Sequence, residues 1–207
     1  MEVLFVQTKI VGKKDINLLV EALNNDEVIA FPTETVYGLG IVYDSEVAME
    51  RLKWAKKRPE TKPFTLMIAD TSWIKQFADT KESDWKIISH FMPGALTLIF
   101  NRKKEIDARI TNGYDTIGIR FPDDAFVLEL IKKVGKPLLV PSANISGLPA
   151  ALSTQEVLDQ LDGRISYVVD GKCESSEAST IISLVGEKPT LIRQGKIKLS
   201  DIEEVVL

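Results

Sequence analysis

The chain has 207 residues, 44% hydrophobic and 27% charged, long enough to bury a full core within one domain. A net charge of −4 supplies no global field toward nucleic acid or membrane, so any anion site has to come from a local cluster. A single cysteine (Cys173) and a single histidine (His90) exclude an intrachain disulfide framework, a multi-cysteine zinc site and a two-histidine metal motif.

The start, Met1-Glu2-Val3-Leu4, lacks the basic residues and apolar stretch of a signal peptide, and no later run approaches membrane-spanning length, so a cytoplasmic location is expected. Asp15 precedes Ile16, Leu18, Leu19 and Leu23 at helical spacing. Residues 28–31, 64–68, 95–100, 116–120 and 138–140 are short, partly β-branched runs bounded by turn residues, and they read as strands. Asp123 opens an apolar helical segment that stops at Gly135, a good left-handed terminator before Pro137. Ser153-x-x-Glu156 and Ser200-x-x-Glu203 fit the capping box, and 167–169, 179–182 and 190–192 are later strand candidates. With no repeat, low-complexity tract or linker, the expectation is a single α/β domain over residues 1–207, built on a twisted mixed sheet flanked by helices. The strand order is not legible.

Three segments depart from ordinary packing sequence. Phe31-Pro32-Thr33-Glu34-Thr35-Val36-Tyr37-Gly38-Leu39-Gly40 follows a strand and combines hydroxyls, a carboxylate and two glycines, which allow tight turns and close approach to a ligand. It is neither a P-loop nor a dinucleotide fingerprint. Lys53, Lys56, Lys57, Arg58 and Lys62 form a basic run. Taken alone, such a run is a solvated helix end, but Pro59 and Pro63 stiffen it into a corner suited to polyphosphate. Pro141-Ser142-Ala143-Asn144-Ile145-Ser146-Gly147 places small polar residues at the carboxyl end of a strand, where open α/β sheets bind ligands. Arg120 and Arg193 each end an apolar strand. His90 reads as a helix histidine, Cys173 has no nucleophile signature, and Trp54, Trp73 and Trp85 are scattered as packing residues, so acyl-enzyme chemistry is not expected.

Together these segments resemble the YrdC/TsaC family of threonylcarbamoyl-AMP synthases over essentially the whole chain. The resemblance rests on residues 32–40, Lys56-x-Arg58-Pro59 with Pro63, and Pro93-Gly94-Ala95-Leu96-Thr97-Leu98. It continues through Thr116-x-x-x-Arg120, Ser142-x-Asn144-x-Ser146-Gly147, Ser179-Thr180 and Arg193-Gln194-Gly195. It implies a large, open, basic cavity. It also implies L-threonine contacts at Thr33, Arg120, Val140 (through its backbone) and Ser179. ATP contacts are implied at Lys56, Arg58, Lys62, Thr116, Ser142, Asn144 and Arg193, with Lys56 and Arg58 as the catalytic cations. Met67 stands where many members have histidine, Lys62 where asparagine is frequent, Ala150 where serine is common, and Gln194 where proline is usual.

The implied substrates are L-threonine, bicarbonate or CO₂, and ATP with accompanying Mg²⁺. No protein-bound metal is implied. The product would pass to a threonylcarbamoyl-transferase complex for tRNA modification, with weak tRNA or double-stranded RNA binding as a side property. Ending at Leu207, the chain resembles the short form of the family. Two other readings are an RNA-binding module without catalysis and a paralogue acting on another carbamoyl-type substrate. The local basic cluster keeps the first open, and the related domain of hydrogenase-maturation carbamoyltransferases is the model for the second.

Overall fold

The structure is a computed structural model that describes residues 7–59 and 62–206. Residues 1–4 and Leu207, on which the expectations about targeting and chain length rest, lie outside the described residues. In chain order the elements are β1 (Lys9–Val11), α1 (Ile16–Asn24), β2 (Ile29–Phe31), β3 (Gly38–Val42), α2 (Glu46–Lys56) and β4 (Thr65–Met67). Next come α3 (Ile74–Phe77), β5 (Ala78–Asp79), α4 (Glu82–Phe91), β6 (Leu96–Arg102), β7 (Thr116–Arg120) and α5 (Ala125–Val134). The last are β8 (Leu138–Leu139), α6 (Thr154–Leu161), β9 (Tyr167–Val169), β10 (Thr180–Ser183), β11 (Thr190–Arg193) and α7 (Leu199–Val206). Among the described residues, no helix is long and apolar enough to cross a membrane.

The described strands form one mixed sheet in the order β1-β9-β2-β3-β8-β4-β7-β6-β10-β11, with β5 added beside β6. Side chains alternate between the two faces of a strand, and this alternation divides the core. One face carries Ala30, Leu39, Ile41, Leu66, Leu98, Ile119 and Leu139, and it packs on α2, α3, α4, α6 and α7. The other carries Ile29, Phe31, Val42, Met67 and Leu138, and the helices packed on it among the described residues are α1 and α5. Two helices cover only part of that second face. The remainder, from Thr65 of β4 through β7, β6 and β10, faces a cavity.

Several local expectations need correction. Residues 38–40, taken as the end of a loop, belong to the fully buried strand β3. Their glycines are there for close approach, since a Cβ on Gly38 would come within 2.5 Å of Val140 Cγ1 and one on Gly40 within 2.5 Å of Phe31 Cε1. Asp124 caps α5, accepting from the Val127 amide at 3.0 Å. The Asp123 amide is drawn instead to Glu34 Oε1. Ser200 lies inside α7, and the carboxylate that closes its first turn is Asp201, which accepts from Lys198 N at 3.2 Å. Ser153 does cap α6 through Glu156 N, but the Glu156 carboxylate reaches back to Leu152 N. Gly135 ends α5 at φ 74°, the left-handed conformation expected of it.

Candidate functional site

The uncovered part of the sheet is the floor of a cavity of about 270 Å³, lined by Val36, Arg58, Lys62, Pro63, Thr65, Thr97, Arg120, Val140, Pro141, Ser142, Ala178, Ser179, Ile181 and Arg193. Strand register explains the floor. Thr97 pairs with Arg120 and with Ile181, and Gly118 pairs with Thr65, so these residues share one face. Ile117, Ile119, Leu98 and Ile182, at the alternate positions, are buried in the helix-covered core. Among the described residues, four cations line the cavity and no carboxylate does. The chain is acidic overall, yet this lining carries cations.

The basic corner is built by the way α2 ends. Ser45 caps its start. Its end turns on Lys57, which adopts a left-handed conformation (φ 48°) and lets the chain reverse within one residue. The turn separates two neighbouring cations. Arg58 projects to the cavity, donating to Lys62 O (3.2 Å) and Pro63 O (2.7 Å), with its guanidinium carbon 4.6 Å from the centre of the Phe64 ring. Burial lowers its pKa to about 10, which leaves it charged at neutral pH.

Lys56, only 1% exposed, points the other way, beneath the loop after β8. Its ammonium donates to Ser142 O, to Asn144 O at 2.8 Å and to Asn144 Oδ1 at 3.2 Å. Three acceptors match the three donors of an ammonium. Ser142 Oγ donates to the same Asn144 Oδ1 at 2.6 Å, and Asn144 Nδ2 donates onward to Ile145 O and Leu148 O. Burial, with Arg58 and Lys62 nearby, pulls the Lys56 pKa down to about 7.

The opposite end of the cavity holds two arginines. Arg120, 7% exposed, ion-pairs with Glu34 Oε1 at 2.8 Å and donates to Thr35 Oγ1 at 2.9 Å. Thr33 Oγ1 lies behind that contact, 2.9 Å from Thr35 Oγ1 and donating to Val36 O. Among the described residues, Arg120 Nε is buried without a hydrogen-bond partner, as is Glu34 Oε2. Arg193 lays its guanidinium on Ser179, donating to Ser179 O through Nε (3.0 Å) and Nη2 (2.8 Å) and to Ser179 Oγ (3.1 Å). Burial, then the Arg120 charge, lower its pKa. Ser179 Oγ in turn shares a hydrogen bond with Thr97 Oγ1 at 2.9 Å.

Of the residues expected at the site, Arg58, Lys62, Arg120, Val140, Ser142, Ser179 and Arg193 line one cavity. Lys56 and Asn144 hold the Ser142 loop from behind, and Thr33 holds Thr35. Thr116 pairs with Asn101 on the same face as Arg120, farther along the floor than the lining residues. Sequence reasoning missed Thr35, Thr65 and Thr97. The signal for Thr97 was present, since it is the lone hydroxyl in an apolar strand, and alternation sets it opposite the buried Leu96 and Leu98. His90 is an exposed residue of α4 with its ring against Phe91, away from the cavity.

The family model Sua5/YciO/YrdC, described as telomere recombination, matches residues 21–195. The threonylcarbamoyl-AMP synthase of Bacillus subtilis is 40% identical over 187 residues, which are 89% of this chain and 54% of that protein. The protein of the same name from an Enterobacter species is 36% identical over 182 residues, 85% of this chain and 93% of that one. The crystal structure of P. abyssi Sua5 complexed with L-threonine superposes with a TM-score of 0.91 at 33% identity, covering 96% of this chain and 61% of that one. The chain thus spans about half the length of the B. subtilis and P. abyssi relatives, 54% and 55%, and nearly all of the Enterobacter one. With the family model running through every strand of the cavity floor, and with these identities over most of its length, the chain belongs to the Sua5/YciO/YrdC family.

Proposed function

We propose that the chain is a threonylcarbamoyl-AMP synthase, joining L-threonine, CO₂ (from bicarbonate) and ATP for N6-threonylcarbamoyladenosine modification of tRNA. The observation that carries this is Arg120. It is a buried guanidinium on the cavity floor whose Nε has no partner among the described residues. An orphaned buried donor costs about 1–3 kcal/mol, and a carboxylate bound there would relieve that cost. A planar guanidinium fork suits an amino-acid carboxylate better than lysine would. Ser179 and Val140 stand beside it in the lining, while Arg58, Lys62, Ser142 and Arg193, in the same lining, are the groups offered to the triphosphate. The names of the relatives and the L-threonine complex of P. abyssi Sua5 support the same substrates.

The threonine amine attacks CO₂ and loses a proton, giving a carbamate. A carbamate oxygen then attacks the α-phosphorus, the bond to the bridging oxygen of the β-phosphate breaks, and pyrophosphate leaves with the electron pair. Such a displacement needs alignment and neutralisation of developing charge, which cations fixed on a rigid floor supply without a covalent nucleophile. Mg²⁺ enters with the triphosphate as part of the substrate. Lys56 acts through the Ser142 loop that it anchors.

The test is incubation with L-threonine, bicarbonate, MgATP and a pyrophosphatase, followed by mass spectrometry. The adenylate should form only when all three substrates are present, and L-valine should substitute poorly, because polar groups facing the missing hydroxyl would be left unpaired. Tight MgATP binding with no adenylate under these conditions would remove the synthase assignment.

A further inference from the structure

β11 is an edge strand in which all four residues are exposed, yet its last residue, Arg193, has to hold a guanidinium in a fixed place on the cavity wall. An edge strand with water on one side frays readily, so something other than the ladder has to fix its end. The structure assigns that task to Thr180. We propose that the Thr180 hydroxyl is a positioning group for Arg193. This rests on the reading of the Arg193 end of the cavity as part of the nucleotide site.

Thr180 is 0% exposed and lies one residue beyond Ser179, the acceptor of the Arg193 guanidinium. Its hydroxyl donates to Ile197 O at 2.7 Å and accepts from Gly195 N at 3.0 Å and Ile197 N at 3.1 Å. A hydroxyl has one donor and two acceptor positions, and all are filled by the chain that follows Arg193. That chain lies so close to β10 that a Cβ at Gly195 would come within 2.3 Å of Ala178 O and 2.6 Å of Thr180 N. Arg193 is therefore gripped twice. Ser179 holds its side chain, and Thr180 clamps the turn that its backbone enters. Thr180 N donates to Ala95 O, so the clamp is tied to β6 in the centre of the floor.

Thr180→Val keeps the β-branched shape and removes only the hydroxyl, whereas Thr180→Ser keeps the hydroxyl. The experiment measures MgATP binding by calorimetry to the wild type, Thr180→Val, Thr180→Ser, Arg193→Ala and the Thr180→Val/Arg193→Ala double variant. Thr180→Val should weaken MgATP roughly tenfold, the scale of one displaced charge-assisted contact. Thr180→Ser should bind like the wild type. In the Arg193→Ala background the valine substitution should add nothing, because its effect passes through that guanidinium. Should Thr180→Val fail to fold, Gly195→Ala pushes the same segment off β10 and is expected to give the same non-additivity. A loss that adds to Arg193→Ala, or no loss while Arg193→Ala does weaken binding, overturns the positioning role. No effect of Arg193→Ala on MgATP overturns instead the nucleotide reading beneath it.

Discussion

Lys56 meets three oxygens with three donors and still sits where burial and two neighbouring cations oppose its charge. Its pKa of about 7 in the folded chain lies below the ordinary 10.5. Between those values the unfolded chain binds more protons than the folded one, so this group makes stability rise with pH across that window. A polyanion at the adjacent corner favours the charged form and moves the pKa back up. MgATP binding at pH 8 should therefore be accompanied by proton uptake, read by calorimetry in buffers of different ionisation enthalpy. Lys56→Met should lose that uptake, and equal uptake by both proteins would free Lys56 of any electrostatic link to the nucleotide. The inward aim of Lys56 was legible. With Met49, Leu52 and Ala55 it completes the buried stripe of α2, a pattern that a count of basic residues passes over. The outward aim of Arg58 was not legible, because it depends on the left-handed turn at Lys57, where glycine would be the usual choice.

At the scale of elements, β7 and β9 occupy the bounds read from sequence, because each is a β-branched run closed by turn residues. β3 escaped notice since its glycines mimic a loop. Neither Gly38 nor Gly40 uses positive φ. Both are small so that β3 can lie against Phe31 and Val140. Gly40→Ala should destabilise the fold by about 1–3 kcal/mol, the usual cost of overpacking a filled core. The obstruction is the Phe31 ring, itself fully buried, with Cε1 at 2.5 Å and Cζ at 3.2 Å. Urea unfolding checks this as a lower midpoint at unchanged slope. An unchanged midpoint would mean that Phe31 repacks freely and that the glycine serves some other end. β1, exposed at two of its three positions, and the two-residue β5 offered too little pattern to be seen at all.

Over the whole molecule, strand order decides where the chemistry sits, and strand order is what local pattern does not encode. Thr97, Arg120 and Ser179 become neighbours only because β6 lies between β7 and β10. The sheet then has one half-covered face, and four cations gather there in a chain whose net charge is −4. That contrast favours the proposed nucleotide site over an RNA surface. Four cations in one cavity of about 270 Å³ can grip a compact triphosphate but cannot follow a phosphate backbone. Titrating tRNA or double-stranded RNA at low and at physiological salt should show weak binding that disappears as salt rises, because released counterions supply most of its free energy. MgATP with L-threonine should displace whatever remains, since on the proposed reading both ligands need Arg58 and Arg193. RNA binding that persists at physiological salt and ignores MgATP would make the cavity irrelevant to RNA and point to a surface outside it. The acidic exterior argues for the first outcome, because repulsion from the rest of the chain grows with every nucleotide that extends beyond the cavity mouth.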